Sequence, residues 1–259
     1  MNIGLQTYTI RREQKRDLES SYRKLLDIGI RDLELARIDF TRGMAERIKK
    51  LKDELGIQPV ALQVKPKDVF ANPGKIIDFA HTVGSENVVI SMLPFSAILG
   101  GESVFYKFLD GLDAEAEKYE KEGITLAYHH HNWEYVRLKN GRTRMDELLT
   151  RTSKIRFVTD TYWSARSGVD PAAAIKRFEG RLLGVHLRDL ANRSFFLDVI
   201  PHDTVIGRGV LDFSSILKAA ESVGCRYLVI EQNSKTPYSD IKESYDALMK
   251  INLQEIYDG

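Results

Sequence analysis

The feature that most constrains this chain is a regular alternation, repeated eight times, between short β-branched runs and longer segments with apolar residues at helical spacing. Strands are expected at 3–10, 32–37, 59–65, 88–93, 124–131, 156–161, 183–187 and 227–232. Helical patterns fill the intervals at 15–28, 43–55, 74–83, 103–122, 143–150, 170–178, 213–223 and 239–254. Residues 15–28 show the pattern well, with Leu18, Tyr22, Leu25 and Leu26 on one face. Gly29, Gly56, Gly84, Gly123 and Gly224 each follow a helical pattern, where a left-handed residue ends a helix. Pro73 and Pro171 stand near helix starts, where a missing N–H costs little.

Dividing 259 residues by eight gives about 32 per unit, the size of one strand–helix module. The fold class is therefore α/β: a (β/α)8 TIM barrel, a closed parallel sheet of eight strands with outer helices, and one domain over residues 1–259. A doubly wound sheet competes, but it expects five or six strands and a glycine-rich first turn. The first junction here, Thr7 to Asp17, contains no glycine.

Composition excludes several classes. Lys and Arg number 38 against 37 Asp and Glu, a formal charge of +1, so no large field of one sign draws in nucleic acid or an anionic membrane. The single cysteine, Cys225, rules out an internal disulfide framework. The opening residues read as a strand rather than a secretory signal, and no run of 18 apolar residues is present, so a soluble cytoplasmic protein is expected. The connection from Arg188 to Asp212, with Phe195 and Phe196, is long enough to be read as a lid or specificity loop.

Barrel enzymes carry their chemistry at strand C-termini. Four consecutive strands here finish in residues able to ligate a metal: Glu134, Asp160, His186 and Glu231. Adjacent strands lie about 4.8 Å apart, so these side chains can converge on one ion. Converging carboxylates would repel one another and raise their pKa values, and a divalent cation relieves that. The largely oxygen set suits Mn²⁺ first, with Mg²⁺, Co²⁺ or Zn²⁺ as alternatives. Each residue also has a plain structural reading: Asp160 as a helix cap, His186 as a satisfied barrel histidine, Glu231 as a partnered buried acid. Strand alternation puts His129 and His131 on one side and His130 on the other, so His131 or His129 is the strand-five ligand if Glu134 lies too far along its loop.

The motifs GLQTYTIR, DLELAR, AYHHHNWEY, DTYW, GVHLRDL, GRGVLDF and VIEQN together give the chain its resemblance to a known family. It resembles the xylose-isomerase-like TIM-barrel superfamily, in the branch of sugar phosphate isomerases and epimerases, over nearly its whole length. The resemblance implies one divalent metal at the barrel mouth, held by Asp160, His186 and Glu231 with Glu134 or a neighbouring histidine as the fourth ligand. The sequence departs from the common pattern at Gln63, often a histidine, at Arg188, where HLKD is usual, and at Gly207-Arg208-Gly209, where GEG is usual. Arginine cannot exchange a proton as lysine does, so Arg188 is read as a binding residue.

The expected activity is a divalent-metal-dependent isomerase or epimerase of a small-molecule sugar or keto-sugar, working through an enediolate. Glu134 and Glu231 are cast as acid and base, with His131 orienting a hydroxyl or carrying a proton. Substrate contacts are assigned to Gln6, Glu34, His129, Trp133, Trp163 and Arg188, the tryptophans as platforms for a sugar ring. The same enediolate can expel a β-leaving group, so a lyase or dehydratase on an inosose-like or 3-keto-sugar substrate is the alternative. An abasic-site endonuclease is more remote, because the charge is neutral and Trp163 stands three residues after Asp160, where a histidine would be needed. A binding barrel without catalysis is the other remote reading. Neither a nucleic acid nor a membrane partner is expected, and a homo-oligomer is compatible with the fold.

Overall fold

A computed structural model describes residues 2–191 and 202–258, the side chains of 252–258 excepted. Phe195 and Phe196, the aromatic part of the expected lid, lie outside the described residues. Eight strands form a closed parallel barrel in chain order: β1 Ile3–Gln6, β2 Asp32–Leu35, β3 Gln58–Val64, β4 Asn87–Ile90, β5 Thr125–His129, β6 Arg156–Asp160, β7 Leu182–Leu187 and β8 Tyr227–Ile230. By internal contacts the chain falls into two compact units, residues 1–33 with 159–259, and residues 34–158. No helix among the described residues is long and apolar enough to cross a membrane.

In the first unit, β8 pairs with β1 on one side and β7 on the other, with Val229 opposite His186 and Ile230 opposite Leu187. Every residue of β7 and β8 is buried, as expected for strands covered on both faces. Helix Leu18–Ile28 buries Leu18, Tyr22 and Leu25, each contributing about 1.5–3 kcal/mol of apolar burial. The expected helix over 15–28 is broken at Asp17, whose φ of −151° is extended. Its carboxylate instead accepts the Ser20 N–H at 3.1 Å and caps the second helix. The first strand is shorter than expected because the Gln6 side chain caps the turn that follows, Thr7–Ile10. A two-stranded ribbon, Asp189–Leu190 against Asp203–Thr204, extends the chain beyond β7.

In the second unit β3, β4 and β5 run side by side, and helices Arg42–Leu55, Pro73–Val83 and Glu102–Glu120 bury their apolar faces. The expected terminal glycines are left-handed, with φ of 71° at Gly56 and 69° at Gly84. Pro73 and Pro171 occupy the first turns of their helices.

Candidate metal centre

In the first unit, three expected ligands meet at the ends of adjacent strands. Asp160 ends β6 and caps the short helix Thr161–Arg166, its Oδ1 accepting the Trp163 N–H at 3.0 Å. The capping reading of Asp160 is therefore what its Oδ1 shows. The Thr161 hydroxyl donates to the Arg188 carbonyl at 2.7 Å and accepts its N–H at 2.8 Å, tying the end of β6 to that of β7. His186 is fully buried on β7. Glu231 follows β8, where its N–H bonds to the Leu187 carbonyl at 3.2 Å, and its Oε2 stands 2.9 Å from His186 Nδ1.

Asp160, His186 and Glu231 each offer a ligand atom within 4.8 Å of the others, and all three residues are buried. Ligands bond one ion at about 2.0–2.2 Å, so closure onto an ion requires only small shifts. Such a group could hold a metal ion.

Arg188 joins the group. Its guanidinium is buried, with Nη1 at 3.4 Å from Asp160 Oδ2 and 3.3 Å from Glu231 Oε1. Its Nη2 bonds Asp203 Oδ2 at 2.8 Å. Burial works against the charge on Arg188, but Asp160, Glu231 and Asp203 outweigh it and raise its pKa. Burial likewise raises the Glu231 carboxyl, and Arg188 with His186 overcomes this to bring it down to about 2. Three carboxylates around one guanidinium leave an excess of negative charge, which a divalent cation would offset. The residues thus fit such an ion in number, chemistry and charge.

Asp203 carries no local sequence signal, and sequence reasoning missed it. Asp189, in the HLRD segment, accepts backbone N–H groups from Leu190, Gly207, Gly209 and Leu211 at 2.8–3.2 Å. A Cβ on Gly209 would fall on that carboxylate, which is why the GRG segment keeps its second glycine.

Glu134 belongs to the second unit. Residues Asn132–Tyr135 form a 3-10 turn, and this folds Glu134 back toward β5. Its Oε1 accepts the Tyr128 hydroxyl, and its Oε2 accepts the His131 N–H at 2.8 Å. Burial raises the Glu134 pKa, opposed by the bonds from Tyr128 and His131. His129 is buried, with Nδ1 3.1 Å from the Ser91 carbonyl. A carbonyl only accepts, so Nδ1 carries a proton and donates it there.

The assigned substrate residues are placed as follows. Gln6 is buried, its Oε1 accepting the Tyr8 N–H at 2.6 Å, and Glu34 is buried on β2. Trp163 packs edge-on to Tyr162, with the Arg188 guanidinium 5.6 Å over its ring. Trp133 is 40% exposed. His131 is half-buried.

The sequence profile described as "Xylose isomerase-like TIM barrel" matches residues 22–251. The chain belongs to this family. Among curated relatives, an inosose dehydratase of Lacticaseibacillus casei is 25% identical over 185 residues, covering 62% of this chain and 61% of the relative. One from Clostridium beijerinckii is 29% identical over 166 residues, covering 54% of this chain and 55% of the relative. The chain thus aligns with less than two thirds of these relatives' lengths. A crystal structure of a sugar phosphate isomerase/epimerase from Parabacteroides distasonis superposes with a TM-score of 0.75 at 20% identity, covering 96% of this chain and 94% of that one. At that identity the likeness carries the fold alone.

Proposed function

We propose that this protein is a divalent-metal-dependent isomerase or epimerase of a sugar or keto-sugar. The observation that carries the reading is the buried set of Asp160, His186 and Glu231 at neighbouring strand ends. His129 is proposed as the strand-five ligand, its Nδ1 being turned to the Ser91 carbonyl. Glu134 is the alternative ligand, with both its oxygens engaged by Tyr128 and His131. Mn²⁺ is the first candidate ion. Held there, it would supply Lewis acidity that stabilises charge on the oxygens of an enediolate.

The chain's own residues do the rest. Glu134, whose carboxyl is raised by burial, is proposed as the group that takes and returns a proton. Glu231, held low, stays ionised; it is proposed as a ligand that also faces the reacting carbon. His131 is assigned to a substrate hydroxyl. Gln6, Glu34, Trp133, Trp163 and Arg188 are assigned to binding, with the indole of Trp163 offering an apolar face beside a fixed cation.

A second reading, a dehydratase on an inosose-like or 3-keto-sugar substrate, is favoured by the inosose dehydratases among the relatives. Both share the first step, removal of the proton next to a carbonyl. Incubation of Mn²⁺-loaded protein with unphosphorylated ketoses and an inosose in deuterated water, followed by NMR, separates them. Deuterium entering beside the carbonyl, with every hydroxyl retained, supports isomerisation or epimerisation. Loss of water supports the dehydratase. Neither exchange nor water loss with any divalent ion would overturn both.

A further inference from the structure

Arg188 divides itself unequally among three buried carboxylates. Charge-assisted N–H···O bonds run at about 2.7–2.9 Å. The bond to Asp203 reaches that length, at 2.8 Å, whereas the contacts to Glu231 and Asp160 are stretched to 3.3 and 3.4 Å. The two long contacts share one nitrogen, Nη1, and both point at ligands of the proposed metal. The short one points at a carboxylate outside that set.

Asp203 is itself held firmly. Its side chain is 2% exposed, its Oδ2 also accepts the Asn233 N–H at 2.9 Å, and its backbone pairs with Leu190 in the ribbon beyond β7. The guanidinium is further confined by the Tyr162 ring, 4.8 Å from its centroid. An arginine drawn equally by all three acids would settle onto the pair at Asp160 and Glu231, neutralising the charge an ion needs.

We infer that Asp203 is a positioning residue: it holds Arg188 partly withdrawn from Asp160 and Glu231, and so sets how tightly the centre binds its ion. The inference rests on the metal reading proposed above. Arg188 then serves two ends. It offsets the buried acids when no ion is bound, and it yields their oxygens when one arrives, because its strongest bond lies elsewhere. The ribbon strand that carries Asp203 becomes part of the metal site without supplying a ligand.

The test is a double-mutant cycle on the full-length, chelator-stripped chain, with Mn²⁺ alone as the probe. Affinity is read by isothermal titration calorimetry and by the rise in unfolding temperature on adding Mn²⁺. Asp203→Asn removes the anchoring charge, so Arg188 closes on the ligands; binding should weaken roughly 10- to 100-fold and the thermal rise should shrink. Arg188→Met removes the competing cation, so Mn²⁺ should bind more tightly than to wild type. With Arg188 gone, adding Asp203→Asn should change little. Where Arg188→Met does not unfold cooperatively, Arg188→Lys takes its place, and its shorter single ammonium should likewise blunt the Asp203→Asn effect. Weakening of equal size with and without Arg188 would overturn the inference and leave Asp203 a purely structural residue. So would an Asp203→Asn variant that binds as wild type does. Failure of the wild type itself to bind Mn²⁺ would overturn the metal reading as well, and that outcome is visible without any variant.

Discussion

The hydroxyl of Tyr128 donates to the carboxylate of Glu134, and both side chains are fully buried. The pair joins the penultimate residue of β5 to the turn that follows the strand. Tyr128→Phe would leave Glu134 Oε1 buried without its donor. A loss of about 1–3 kcal/mol is expected in urea unfolding. The bond from Tyr128 also holds the Glu134 carboxyl down against burial, so its pKa should rise further in the variant. Unchanged stability would contradict this account of the turn.

Asp113 lies on helix Glu102–Glu120 and pins the segment entering β6. Its carboxylate accepts the N–H groups of Ser153 at 2.6 Å, Lys154 at 3.0 Å and Ile155 at 3.2 Å, and the Ser153 hydroxyl at 2.9 Å. Burial raises its pKa, but these bonds outweigh it and set the carboxyl below its usual 3.8. The stability it supplies is present above about pH 3.8 and is lost as the pH falls through the lower folded value. Asp113→Ala should cost about 1–2 kcal/mol at pH 7. Its unfolding free energy should also fall less steeply below pH 4 than that of wild type. Parallel pH curves would count against the assignment.

Asp189 and Gly209 form a latch after β7. Because a methyl group at 209 would meet the Asp189 carboxylate, Gly209→Ala should destabilise by about 1–3 kcal/mol through overpacking. Asp189→Asn retains the shape but replaces one accepting oxygen by a donor, facing N–H groups that need an acceptor. It should therefore also destabilise, measured by thermal unfolding. A neutral result for both would show that the segment from 207 to 211 is held by other contacts.

The order of strands was legible because barrel modules repeat, and because glycines at 29, 56 and 84 mark where helices must stop. The grouping of Asp160, His186 and Glu231 was legible for a similar reason: each lies at or within one residue of a strand's end, and parallel pairing brings strand ends together. The break at Asp17 was hidden because apolar spacing continues across it; a cap competes with helix continuation through one side-chain bond. The turning of Glu134 back toward β5 was hidden because alternation fails where β5 ends at His129 and a 3-10 turn begins. Asp203 was illegible because its partners are far along the chain. It reaches Arg188 across 15 residues and Asn233 across 30.

The central claim is that the buried acids and histidine of strands β6 to β8 hold a divalent ion. The most direct test is elemental analysis of protein purified without chelator, comparing wild type with Glu231→Ala after exposure to Mn²⁺. The account predicts about one divalent ion per wild-type chain and its loss in the variant. Wild-type protein without bound metal, even after Mn²⁺ is added, would contradict it.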